Sequence, residues 1–170
     1  MPTNIEIKAR LTDFPRTVIL AEKIGDTPRE IIPQEDIFFV TPRGRLKLRI
    51  FSPQSGQLIY YERPDAEGPK ASHYSLAPTD DPVSLKTVLA EAYGIRGIVR
   101  KERWLYLAGQ TRIHLDQVEG LGAFLELEVV LRDGQPLAEG ERIANELMAK
   151  LEIGEADLLE GAYMDLLEQT

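Results

Sequence analysis

The sequence predicts an α+β fold in which an antiparallel sheet of about eight strands curls into a barrel, flanked by helices and followed by a helical C-terminal tail. Three observations predict it. Short segments alternate polar and apolar residues with period two, turn residues at hairpin spacing separate most of them, and only a few stretches carry helix boundaries instead. No linker or internal repeat divides the 170 residues, so a single domain over 1–170 is expected.

The first strand is Asn4–Arg10. Thr12-Asp13 with Pro15 opens a helix that runs to about Lys23 and stops at Gly25. Ile31–Val40 is β-rich, Pro42-Arg43-Gly44 turns the chain into Leu46–Phe51, and Ser52 to Gly56 turns it into Leu58–Arg63. After a loop from Pro64 to Pro69, Lys70–Ala77 forms a strand. Asp81-Pro82 caps a second helix through about Tyr93, closed by Gly94. Ile98–Ala108, Thr111–Val118 and Phe124–Arg132 follow as strands with tight connections, then helices over about Leu137–Leu151 and Glu155–Glu168.

Composition narrows the function. The net charge of −8 argues against a general nucleic-acid binder, which needs a broad basic face. No apolar run is long enough for a membrane helix and no signal peptide is visible, so a cytoplasmic protein is expected. The absence of Cys excludes disulfides, thiolate metal sites and a Cys nucleophile. Neither a Walker A loop nor Gly-x-Gly-x-x-Gly occurs, which excludes phosphate binding by those two devices. Arg132 to Thr170 holds 3 basic and 10 acidic residues, leaving 17 basic and 18 acidic in the first 131. The body of the chain is therefore nearly neutral and has room for a basic site.

The polar parity of the strands has a narrow vocabulary. Asn4, Glu6 and Lys8 alternate with Ile5, Ile7 and Ala9; Lys47 and Arg49 alternate with Leu46, Leu48 and Ile50. Lys101 and Arg103 share one parity, as do Arg112, His114 and Asp116, and Glu126 and Glu128. Any one pair alone reads as a solvated strand face with cross-strand ion pairs. Five strands with the same pattern read differently. If these sets face inward, ten ionised groups share the interior, and a dry core cannot hold them. The interior is then a wet tunnel for a charged ligand. Lys and Arg suit a polyphosphate, and clustered carboxylates suit Mg²⁺ or Mn²⁺.

Asn4-Ile5-Glu6-Ile7-Lys8 resembles the Glu-x-Glu-x-Lys signature of the CYTH superfamily, the triphosphate tunnel metalloenzymes. Blocks at Arg45–Arg49, Val99–Arg103, Arg112–Asp116, Leu121–Glu128 and Tyr163–Leu166 follow in the family's order across essentially the whole chain. The nearest resemblance is to the class IV adenylyl cyclase-like branch. It implies an eight-stranded antiparallel barrel around a charged tunnel, with Mg²⁺ or Mn²⁺ as cofactor and a triphosphate-bearing small molecule (ATP, tripolyphosphate or thiamine triphosphate) as partner. By position it implies Glu6, Glu126 and Glu128 as metal ligands with Asp116 as a fourth. Lys8, Lys47, Arg49, Lys101, Arg103 and Arg112 would hold phosphates, with Arg63 and Lys70 as secondary contacts. Lys8 would help orient the nucleophile, and Asp116 or a metal-bound hydroxide would accept a proton. Asn4 departs from the family's first Glu, so one metal is expected and a second stays open.

Three activities fit: cyclisation of ATP to cyclic AMP and pyrophosphate, hydrolysis of an inorganic or organic triphosphate, and polyphosphate or nucleotide binding without turnover. A barrel of this size is compatible with a homodimer. His114 is expected as a hydrogen-bonded spacer to Asp116, and His73 as solvent-facing. Ser72 and Tyr74 are candidates for touching a base or ribose. Tyr60, Tyr61, Trp104 and Tyr106 are expected to pack; Asp36, Phe38 and Phe39 resemble a further block of the family, with the two aromatics expected to fill core and lid.

Overall fold

The computed structural model describes residues 2–62 and 67–168. Strands β1 (Thr3–Arg10), β2 (Glu30–Phe39), β3 (Arg45–Ser52), β4 (Ser55–Glu62), β5 (Lys70–Thr79), β6 (Ile95–Ala108), β7 (Thr111–Val118) and β8 (Gly122–Val130) form a closed antiparallel barrel. Its order is β5-β4-β3-β2-β6-β7-β8-β1, and β1 closes the ring by pairing with β5 as well as β8. Closure removes the exposed strand edges that an open sheet would leave.

Two of the helices begin where the sequence places their caps. In α1 (Phe14–Ile24) the Asp13 carboxylate accepts from the Arg16 N–H at 3.1 Å, and in α2 (Pro82–Tyr93) Asp81 accepts from the Ser84 N–H at 3.1 Å. Each satisfies a backbone donor the helix cannot. Helix α3 (Leu137–Lys150) packs on β1, with Gly140 close enough to Ile5 that a Cβ there would lie 2.6 Å from its side chain.

The aliphatic parity points outward. Ile5, Ile7, Ala9, Ile113, Leu115, Leu125, Leu127 and Val129 are buried under α1 and α3, while Ile37, Phe39 and Leu48 are buried under α2. The hydrophobic core thus lies between barrel and helices, and the bore is left to the other face of each strand. Among the described residues no helix is long and apolar enough to cross a membrane.

The tail differs from expectation. Instead of one helix over Glu155–Glu168, there is a 3₁₀ turn at Glu155–Asp157, a two-residue strand β9 (Leu158–Leu159), and a short helix α4 (Tyr163–Glu168). The cause is the other edge of β1. Strand β5 pairs with Thr3–Glu6 only, and β9 takes up the pairing at Lys8 and Ala9. Backbone groups that would otherwise lack partners are satisfied. Gly161, at φ +79°, then redirects the chain into α4.

Candidate active site

The inward parity converges on one cavity of about 240 Å³. Glu6, Lys8, Lys47, Arg49, Lys101, Arg103, Arg112, Glu126 and Glu128 all line it, together with Asn4 and His114. Lys70 and Asp116 are buried in the same wall but outside its lining. Arg63 lies outside the described residues.

The antiparallel register gives the bore two unlike ends. Phe38, Lys47, Tyr61 and Val99 lie toward one end, and Ile32, Phe51, Leu76 and Leu105 toward the other. At the first end the C-terminal segment acts as a stopper. The Tyr163 ring sits 4.0 Å from Lys8 Nζ, its hydroxyl donates to Asp116 at 2.8 Å, and Lys8 Nζ donates to the Gly161 carbonyl at 3.1 Å. Arg45 and Arg96 hold α4 from outside through Asp165. The other end meets solvent: Leu76 is 49% exposed and the Arg112 side chain 38%, against 3% for Lys8.

Each cation already has a carboxylate partner. Asp36 accepts from Arg49 Nε and Nη2 at 2.8 and 2.7 Å, and lies 3.4 Å from both Lys47 and Lys101. Asp116 accepts from Arg103 Nε and Nη2 at 2.8 and 2.7 Å, and Nη2 also donates to Glu126 Oε2 at 3.4 Å. Lys8 lies 3.2 Å from Glu126, and Arg112 donates to Glu128 at 3.0 and 2.8 Å.

These pairs set the protonation states. Burial raises the Asp36 pKa, but Arg49, Lys101 and Lys47 outweigh it and hold the carboxyl well below its ordinary value. The same contest, won chiefly by Arg103, leaves Asp116 at about 2. Against burial, His114 and Arg112 bring Glu128 to about 2. Burial, reinforced by Arg103, brings Lys101 down to about 7 despite Asp36. His114 is lowered by burial and by Arg103.

Glu126 and Glu128 fit a hard divalent cation, being neighbouring ionised carboxylates that face the cavity at alternate positions of β8. Glu6 stands opposite Glu128 across β1–β8 and opposite Lys70 across β1–β5. Asp116 is 0% exposed, and its oxygens are occupied by Arg103 and Tyr163.

Several site groups escaped the sequence reading. His114 is not a spacer to Asp116: its Nδ1 faces Glu126 and Glu128, at 3.8 and 3.6 Å, while Asp116 turns to Arg103 and Tyr163. Tyr61 and Phe38 line the bore, 5.2 and 5.6 Å from Lys47 Nζ, whereas Phe39 packs under α2 and Trp104 packs edge-on against Phe14. Asp36, Gln34 and Gln57 are cavity residues that the charge pattern did not single out. Ser72 and Tyr74 do face the cavity, and His73 is exposed with Nδ1 3.0 Å from the Thr3 hydroxyl.

Comparison with known proteins agrees with this geometry. The chain is 27% identical to adenylate cyclase CyaB of Aeromonas hydrophila, over 98% of this chain and 90% of that protein. Its fold matches the PH1012 protein of Pyrococcus horikoshii OT3 with a TM-score of 0.85 at 24% identity, covering 96% of this chain and 98% of that one. It also matches HpAC1 of Hippeastrum, described as having a dominant triphosphatase activity, with a TM-score of 0.64 at 16% identity and 88% coverage of each chain. The CYTH domain profile matches residues 2–163. A barrel whose bore is walled by paired acids and bases, and whose sequence fits that profile almost end to end, belongs to the CYTH family of metal-dependent enzymes that act on triphosphates.

Proposed function

We propose that this chain is a metal-dependent enzyme of the adenylyl cyclase type, converting ATP to cyclic AMP and pyrophosphate. One observation carries the reading: six basic side chains and the Glu126–Glu128 pair line a single bore stoppered at one end, with apolar residues at the other. A triphosphate enters with its terminal phosphate toward Tyr163. Ile32, Phe51, Leu76 and Leu105 are then left beside the nucleoside. Mg²⁺ or Mn²⁺ held by Glu126 and Glu128, with Glu6 beside them, would supply positive charge at the phosphate oxygens.

Arg49, Arg103 and Arg112 grip phosphate oxygens with two donors each, and Lys8, Lys47 and Lys101 act as point charges. Lys70 adds charge at the seam beside Glu6. The ribose 3′-oxygen bonds to the α-phosphorus, and pyrophosphate leaves with the bonding electron pair. The hydroxyl proton passes to water at the open end. Negative charge grows on the leaving pyrophosphate, where the cations are already placed, so positioning and charge stabilisation supply the acceleration. Lys8 orients phosphate from the stoppered end. Asp116, with both oxygens engaged, is assigned to holding Arg103 in place rather than to accepting the proton.

The size of the cavity favours hydrolysis as a second reading. At about 240 Å³ it falls below the roughly 300–1,000 Å³ of pockets that enclose drug-sized ligands, and it suits a polyphosphate more closely than a whole nucleotide. Tripolyphosphate or the tail of thiamine triphosphate would fill it. Incubation with Mg²⁺ or Mn²⁺ and either ATP or tripolyphosphate, with identification of products, separates the readings. Cyclic AMP with pyrophosphate supports the first and orthophosphate the second. Tight binding with no product under either metal overturns both and leaves a binding module.

A further inference from the structure

We propose that His114 Nδ1 is a third ligand beside Glu126 and Glu128, and that this mixed nitrogen–oxygen set makes the site prefer Mn²⁺ over Mg²⁺. The inference rests on the metal-dependent reading above and extends it to the identity of the ion. His114 stands directly across the β7–β8 ladder from Glu126. Its residue is 4% exposed, and its Nδ1 is buried with no group within hydrogen-bond distance among the described residues. That nitrogen lies 3.6 Å from Glu128 Oε1 and 3.8 Å from Glu126 Oε2, and one donor atom from each of the three residues falls within 4.8 Å of the others.

The two separations are too long for hydrogen bonds. They fit donors that share an ion. Two atoms each about 2.1 Å from one cation lie roughly 3 to 4 Å apart, depending on the angle between them. A buried imidazole nitrogen that faces two carboxylates at 3.6 and 3.8 Å is placed to give its lone pair to an ion held between them. A hydrogen-bonded spacer would instead need a donor or acceptor within reach, and Asp116 is committed elsewhere.

Nitrogen in the ligand set bears on ion choice. Mg²⁺ dehydrates reluctantly and is held by one or two carboxylates and phosphate oxygens, whereas imidazole suits transition metals. Carboxylates suit Mn²⁺ as well as Mg²⁺, so Glu126 and Glu128 alone discriminate weakly, and His114 would add the discrimination.

Pulsed electron paramagnetic resonance of Mn²⁺ added to the full chain tests this directly, because a coordinated imidazole imprints ¹⁴N couplings on the ion. The wild type should show them. His114→Gln, which offers oxygen in place of nitrogen at similar size, should lose them while still binding Mn²⁺, and the Mn²⁺-to-Mg²⁺ affinity ratio should fall roughly tenfold. His73→Gln should keep them, since His73 is on the outer face. Mn²⁺ bound without ¹⁴N coupling in the wild type, coupling that survives in His114→Gln, or an unchanged affinity ratio overturns the proposal and leaves the metal-dependent reading standing. No Mn²⁺ binding by the wild type, with or without tripolyphosphate, removes both. If His114→Gln fails to fold, the wild-type and His73→Gln spectra decide the question.

Discussion

Replacing Asp36 with Asn preserves the shape of a residue that is 1% exposed and removes the charge that three cations share. Lys47 and Arg49 on β3 and Lys101 on β6 would then face one another without a counter-ion. Removing one partner of a buried pair costs roughly 3–5 kcal/mol. Lys101, already at about 7, can shed its proton and relieve part of that repulsion, which favours the lower figure. A loss of about 3 kcal/mol lowers Tm by roughly 6–12 °C in a domain of this size. The pH window follows from the depressed pKa of Asp36: its stabilisation is present above the ordinary carboxylate value and is lost only as pH falls through the lower folded value. The deficit of the variant should therefore persist at pH 5 and narrow only in strong acid. A polyanion in the bore supplies the missing charge, so tripolyphosphate should raise the Tm of Asp36→Asn more than that of the wild type. Calorimetry with and without tripolyphosphate reads both effects. A variant within about 1 kcal/mol of the wild type, or one that gains no more from the polyanion, refutes the view that this carboxylate holds the phosphate-binding wall together.

Two other perturbations probe the same wall. Glu128→Ala should cut metal-dependent turnover by at least ~100-fold, yet unfold within about 2 kcal/mol of the wild type, because its partner Arg112 reaches solvent at the open end; unfolding of the variant would mark Glu128 as structural. For Lys101, the folded pKa of about 7 lies below the unfolded value, so the unfolded chain binds more protons between about pH 7 and 10. Its contribution to stability rises with pH across that window by up to ~1.4 kcal/mol per unit, and the penalty is fully present below it. Lys101→Met should abolish the slope in urea unfolding at pH 7, 8 and 9; an unchanged slope would show that another group titrates there.

The bore was legible because its rule is local. Side chains alternate along a strand, so Glu6 and Lys8, or Arg112 and Asp116, must share a face, and repetition in five strands argued for a common interior. Caps at Asp13 and Asp81 were legible for the same reason, each acting on a backbone donor three residues away. What stayed hidden depends on register or on distant chain. Asp36 lies in a block that resembles the family, but its parity mixes Ile32 and Phe38 with Gln34, so charge alternation alone does not mark it. Which carboxylate receives which cation is set by strand alignment, as in Arg103 with Asp116, and alternation says nothing about that. The tail misled because Leu158, Leu159, Ala162, Tyr163 and Leu166 support a helical reading equally well. The demand that broke that helix came from β1, about 150 residues earlier in the chain.

The stopper also has a consequence for how a ligand can sit. Residues 161–163 supply the carbonyl over Lys8 and the hydroxyl on Asp116. The eight-stranded ring by itself is a pipe with two mouths, and this segment makes it a vessel with a floor. The wall thus decides what binds, and a segment that is not part of the ring decides which way round it lies.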